Sequence, residues 1–182
     1  MKSLKYWLLV LGILSCFGCS SSIHEDNRGC SFICDSIQYR VEFMSAGCVR
    51  ILSYPEGDTL VTKRLVVDVE KPTFTDYKWE ETEQAFVFCT HELLVSFDKS
   101  DEAFTFREAS TGKLLLKEKD RRKARNFKRS EVGGEQCLEV TQRFIPTDEE
   151  AIYGLGQYQN GIMNYRGKSV LLLQANMDIV NP

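Results

Sequence analysis

Between residues 36 and 116 apolar and polar positions alternate in short runs. Ile37, Tyr39, Val41 and Phe43 interleave with Gln38, Arg40 and Glu42, the period of two that gives a strand one apolar face and one wet face. Ser45-Ala46-Gly47 reads as a turn into a second run at 48–52, and Pro55-Glu56-Gly57-Asp58 as a turn into 60–62. A further apolar run, 65–69, stops before Pro72. Strands are then predicted at 86–90, 93–97, 104–107 and 114–116, separated by Lys99-Ser100-Asp101-Glu102 and Ser110-Thr111-Gly112-Lys113. Leu138, Val140 and Phe144 continue the pattern, Pro146-Thr147-Asp148-Glu149-Glu150 reads as a turn or the first turn of a short helix, and a last strand is predicted at 169–174. No helical period competes with this, and no repeat is visible at solenoid or propeller spacing. Many short strands with closely spaced turns predict an all-β fold, an antiparallel β-sandwich.

The chain has 182 residues, 43% of them hydrophobic and 27% charged, which suits one domain with a real core and excludes disordered and collagen-like readings. A (β/α)8 barrel takes about 250 residues, so barrel chemistry does not fit inside it. A net charge of -3 argues against a dedicated nucleic-acid binder.

The first residues change the picture of where the domain works. Lys2 and Lys5 precede an uncharged apolar run at 6–18, the layout of a signal peptide. Its 13 residues fall short of the ~20 needed to span a bilayer. The run ends in Ser15-Cys16-Phe17-Gly18-Cys19 followed by three serines, which resembles the lipobox of bacterial lipoproteins. Cys19 is the expected acylated residue and Cys16 the rival. Cleavage after residue 18 removes both lysines and leaves 21 basic against 26 acidic residues, a net charge of -5. The expectation is an exported, cell-envelope domain held to the membrane by acyl chains, with 19–35 as a flexible leash and the sandwich running over 36–182.

Seven cysteines include the two in the signal region. Cys30 and Cys34 have C-x3-C spacing with no second cysteine or histidine pair nearby, so no metal site is expected, and the pair reads either as a disulfide or as buried thiols on strands. His24 and His91 have no evident partner in the sequence. The run at 117–129 holds eight basic and two acidic residues with one aromatic, Phe127. A single-strand nucleic-acid groove needs several stacking rings, so the expectation is a solvated hairpin.

Gly154, Gly156 and Gly161 sit among Gln157, Tyr158, Gln159, Asn160, Asn164, Tyr165 and Arg166, with Gln174, Asn176 and Asp178 beyond. A dinucleotide loop would place its third glycine at 159, where Gln159 stands, and there is no βαβ context, so no cofactor is expected. Amides, a carboxylate and aromatic rings are what a sugar site uses, because hydroxyls need paired donors and acceptors while pyranose faces lie on rings.

The order of these residues carries more than their composition. Ala151-Ile152-Tyr153-Gly154-Leu155-Gly156-Gln157-Tyr158-Gln159-Asn160-Gly161, then Asn164-Tyr165-Arg166-Gly167-Lys168 and Gln174-Ala175-Asn176-Met177-Asp178-Ile179, resembles the N-terminal domain of family-31 glycoside hydrolases of the bacterial α-xylosidase and α-glucosidase type. The likeness extends upstream to about residue 36. It departs at Leu172-Leu173-Gln174, where relatives carry an aromatic before the glutamine.

That resemblance implies a galactose-mutarotase-like sandwich that packs on a catalytic barrel and lends it a loop near the substrate. Asn176 and Asp178 fall on that loop, and Gln174 and Tyr158 join them as expected substrate-binding residues. The family is retaining and uses two aspartates of the barrel, so no catalytic residue is expected within these 182. The implied role is a carbohydrate-contacting domain of an α-glycosidase with an α-linked oligosaccharide as partner. A stand-alone lipoprotein that binds such sugars, or a relic without function, are the alternatives at this point.

Overall fold

A computed structural model describes residues 23–58, 74–119, 124–155 and 160–172. Within them the chain forms twelve strands: β1 (His24–Asp26), β2 (Gly29–Cys34), β3 (Ile37–Ser45), β4 (Cys48–Pro55), β5 (Lys78–Glu81), β6 (Ala85–Cys89), β7 (Leu93–Asp98), β8 (Ala103–Glu108), β9 (Leu114–Glu118), β10 (Arg125–Val132), β11 (Glu135–Gln142) and β12 (Phe144–Ile145). There is no helix among the described residues, so Pro146 to Glu150 resolves as a turn, closed by the Glu150 amide donating to the Thr147 carbonyl at 3.2 Å. The chain divides into two units, Met1–Phe144 and Ile145–Pro182.

The first unit is a sandwich. One sheet has four strands in the order β1-β2-β3-β4 and the other six in the order β12-β9-β8-β7-β6-β5, while β10 and β11 form a separate hairpin. All described pairings that join neighbouring strands are antiparallel, which short turns permit.

The alternation read from the sequence is the alternation of burial. Cys30, Phe32 and Cys34 of β2 and Tyr39, Val41 and Phe43 of β3 meet Phe86 and Phe88 of β6, Leu93, Val95 and Phe97 of β7 and Phe104 of β8 in one core. Phe97 is its hub, with ring centroids 4.9 Å from those of Phe32, Tyr39 and Phe104. Such tilted ring pairs contribute ~0.5–1.5 kcal/mol each beyond the area they bury.

Two sites show why glycine stands where it does. Gly29 has φ 149°, and a β-carbon there would lie 2.1 Å from the Val41 carbonyl oxygen, so any side chain would push β2 off β3. Gly133 and Gly134, at φ 62° and 85°, form the two-residue loop between Val132 and Glu135; positive φ at both central positions is the type I′ hairpin turn.

Four expectations change. Residues 24–34, expected as part of the leash, are two strands, and three of their side chains sit in the core. The reason is local: the core-facing residues are cysteines and one phenylalanine, a weaker apolar signal than the Ile-Tyr-Val-Phe run that follows. A Cys30–Cys34 disulfide is excluded because the two share one face of a strand four residues apart, about 13 Å, whereas a disulfide needs Cα atoms within about 7 Å. The basic run at 117–129 is not all solvated, since Glu118 and Arg125 are buried. Residues 169–172, expected to begin a strand, are not in one, and Leu171 and Leu172 are exposed. The expected runs at 60–62 and 65–69 lie outside the described residues.

Candidate functional site

In the second unit the motif's polar side chains hold the loop itself together. Asn164 Oδ1 accepts from the backbone amides of Ile152 and Arg166, both at 3.0 Å. Tyr165 donates its amide to the Ile152 carbonyl at 2.7 Å and its hydroxyl to Asn160 Oδ1 at 3.2 Å. Arg166 donates from Nη1 to the carbonyls of Thr147 at 2.5 Å and Glu150 at 2.7 Å. These bonds clasp 147–152 against 160–166, the job short polar side chains do in irregular backbone. They leave Tyr153 62% exposed beside Leu155, which takes φ 65°, a left-handed conformation that non-glycine residues rarely adopt. The expected binding residues Tyr158, Gln174, Asn176 and Asp178 lie outside the described residues, as do Cys16 and Cys19.

The first unit contains a charged cluster that sequence reasoning missed. Along β9, Leu114, Leu116 and Glu118 face inward, so a carboxylate occupies a position where the alternation calls for a hydrophobe. Arg125, the first residue of β10, pairs with it through Nη2. Glu118 Oε2 also accepts from the Phe104 amide at 2.8 Å and Oε1 from Gln142 Nε2 at 2.9 Å. Arg125 Nη1 donates to the Tyr39 hydroxyl and the Glu102 carbonyl, both at 3.0 Å, and its guanidinium lies 5.0 Å from the Tyr39 ring centre. Burial pushes the Tyr39 hydroxyl up to about 12, against the pull of Arg125. A buried ion pair survives only when its remaining lone pairs and protons are matched, and this one is nearly saturated; within the pair, Arg125 Nε alone is buried without an acceptor among the described residues.

A second cluster closes one edge of the sandwich. Glu25 of β1 accepts from the Tyr77 hydroxyl and from Trp79 Nε1, both at 3.0 Å, and the Tyr77 hydroxyl lies 3.6 Å from Cys30 Sγ. Burial pushes the Cys30 thiol up to about 11 and the Tyr77 hydroxyl well above its usual range. Next to it, Arg40 reaches both oxygens of Asp26 at 2.6 and 2.9 Å and Glu42 at 2.7 Å, and Glu42 in turn meets Arg50. The Arg40 guanidinium holds the Asp26 carboxyl below the usual carboxylate range. The outer face of β3, expected to be wet, is therefore an ion-pair chain in which Glu42 is buried. Among the described residues no three His, Cys, Asp or Glu side chains converge as a metal site would require.

Residues 38–181 match the model of the glycosyl hydrolase 31 N-terminal galactose mutarotase-like domain. This chain belongs to that family. An α-xylosidase of glycoside hydrolase family 31 from Xanthomonas citri superposes with a TM-score of 0.69 at 30% identity, over 80% of this chain and 16% of its own. A family-31 α-xylosidase from a soil metagenome, solved with xylose, aligns at 19% identity and a TM-score of 0.62 over 81% of this chain and 24% of its own. The cycloalternan-forming enzyme of Listeria monocytogenes, solved with a pentasaccharide substrate, aligns at 18% and 0.62 over 83% and 14%. The last two share the fold. The family-31 domain described here thus spans at most about a quarter of the length of these structures, and the resemblance seen in the motif at 151–179 agrees with the family match. The β-sandwich expected from the alternation is that family's mutarotase-like domain.

Proposed function

We propose that this domain is the carbohydrate-contacting front part of an α-glycosidase of the α-xylosidase or α-glucosidase type, and that it does not hydrolyse glycosides by itself. The observation that carries the reading is the family match over 38–181 together with a 30%-identical α-xylosidase of which the chain covers 16%. Its contribution is contact with an α-linked sugar, for which Tyr158, Gln174, Asn176 and Asp178 of the family motif are the proposed residues. The retaining two-carboxylate reaction needs an acid and a nucleophile about 5–5.5 Å apart across the scissile bond; neither the family match nor the resemblance assigns those roles to a residue here. The apolar run at 6–18 and the lipobox at Cys19 support export and acyl anchoring at the cell envelope.

The test is hydrolysis of an aryl α-xyloside and an aryl α-glucoside by the 182-residue chain, followed through gel filtration. No activity is expected in the protein peak, whereas the same domain joined to a family-31 catalytic barrel should turn over one of the two. Activity that co-elutes with the 182-residue chain overturns the reading. Globomycin-sensitive processing and an acyl mass on a Cys19 N-terminal peptide test the anchor; an unmodified Cys19 overturns it.

A further inference from the structure

Between β4 and the far edge of the six-stranded sheet, the inner faces part to leave a cleft of about 450 Å3. Val49 and Ile51 of β4 form one wall, Phe106 of β8 and Phe144 of β12 the other, and Glu118 and Gln142 lie at its polar end. None of its lining residues belongs to the 153–178 segment, and nothing in the family resemblance points to it. We propose that this cleft is a second sugar site, one that takes a single neutral pyranose ring. The inference rests on the reading of the chain as a carbohydrate-contacting domain and adds a place to it.

The chemistry follows from what is left over. Glu118 Oε2 already accepts from Phe104 and Arg125, but among the described residues Oε1 accepts only from Gln142 and retains a lone pair. Gln142 retains an amide proton and its carbonyl oxygen. A ligand hydroxyl, being donor and acceptor at once, bridges this carboxylate and amide in the way two adjacent hydroxyls of a sugar do. Phe144 is 45% exposed, a ring face with room for the apolar side of a pyranose. The volume lies within the range of ~300–1,000 Å3 typical of small-ligand clefts, which are mostly apolar with a few convergent polar groups.

Charge narrows the class further. The Glu118 charge is matched by Arg125, whose Nη1 is turned inward to Tyr39 and the Glu102 carbonyl. An anionic ligand would meet the open lone pair of Glu118 first, and a cationic one would compete with Arg125 for it. A neutral polyol with a flat apolar face fits both ends. The inward carboxylate breaks the strand's own pattern, and such local violations concentrate at functional sites.

The experiment uses the full chain in a detergent without a sugar headgroup and measures saturation-transfer NMR and its titration with methyl α-xylopyranoside and methyl α-glucopyranoside. Binding of at least one is expected. Phe144→Ala and Gln142→Met should each weaken it about tenfold, the loss of one ring contact or one matched hydroxyl, while Phe144→Tyr retains it and Val132→Thr, at an exposed position of the β10–β11 hairpin, leaves it unchanged; Asn176→Ala with Asp178→Ala is titrated beside them as the competing site. Thermal melting of each variant separates lost binding from lost fold. The inference is overturned if the wild-type chain binds neither sugar, if the cleft variants bind as well as wild type, or if the loss follows Asn176 and Asp178 instead. In the last case the carbohydrate-contacting reading stands and only the cleft fails. A concentration-dependent dimer broken by Phe144→Ala, with no response to sugar, would assign the cleft to a second copy of the chain and overturn the inference too.

Discussion

At one edge of the sandwich Glu25 on β1 joins the four-stranded sheet to Tyr77 and Trp79 at the start of the six-stranded one; at the opposite edge β4 and β9 part over a cleft with a carboxylate inside it. The closed edge puts its charges where water reaches them, Asp26 and Glu25 on an edge strand, and uses them to tie strands. The open edge puts a charge pair inside and surrounds it with apolar wall. A domain selected only for stability gains little from the second arrangement, because replacing a buried ion pair by well-packed hydrophobes is often neutral or stabilising. The two edges separate what holds the fold from what the fold holds.

The largest effect should come from the core that both edges share. Phe97→Ala empties the centre of the ring cluster and is expected to cost about 3–5 kcal/mol, read as a shift of the urea midpoint; a loss below ~1 kcal/mol would mean the core is not organised around it. At the open edge Arg125→Met strands the Glu118 carboxylate and should cost about 3 kcal/mol, while Glu118→Leu combined with Arg125→Met should recover most of that. A double variant as unstable as the single one would show that the pair is structural, and the contrast between the edges would collapse.

The thiol of Cys30 at the closed edge and the hydroxyl of Tyr39, which accepts from Arg125 beside the open one, both respond to alkali. Both are pushed up in the fold, to about 11 and about 12 from ordinary values of 9.0 and 10.0, chiefly by burial. The unfolded chain therefore loses these protons first, so the stability they confer is intact below pH 9 and lost as pH rises through 11 to 12. Melting temperature should fall over that window, and Cys30→Ala should soften the decline between pH 9 and 11; an unchanged pH profile would place the thiol outside the core. The smallest effect is expected from Glu25→Gln, which keeps one acceptor oxygen, turns the other into an amide donor and should cost about 1 kcal/mol at this exposed site. Hydrogen exchange of β1 amides would register it even where a melting curve does not.

The alternation from Ile37 to Phe43, the turns around Gly47 and Gly57 and the strands from 86 to 118 were legible because each strand has one face in the core, and burial imposes its period directly on the sequence. β2 was not, because cysteine at two of its three core positions reads equally as reactive, bonded or merely small. β5 was hidden for a related reason: Lys78, Trp79, Glu80 and Glu81 form an edge strand whose side chains are mostly exposed or half-buried, so no period marks it. The family motif was legible in residue order, yet Asn164, Tyr165 and Arg166, which composition grouped with ligand-binding residues, serve the loop's own backbone. The Glu118–Arg125 pair could have been suspected from Leu114, Leu116 and Glu118 sharing a strand face, a charge out of pattern inside a run that counted only as basic.

All five described cysteines are thiols, two of them deep in the core and too far apart to join. The described strands are therefore held together without a disulfide. Packed rings and matched charges do that work, and Cys48 and Cys137, the two exposed thiols, are left as natural attachment points for probes at the cleft wall and on the hairpin.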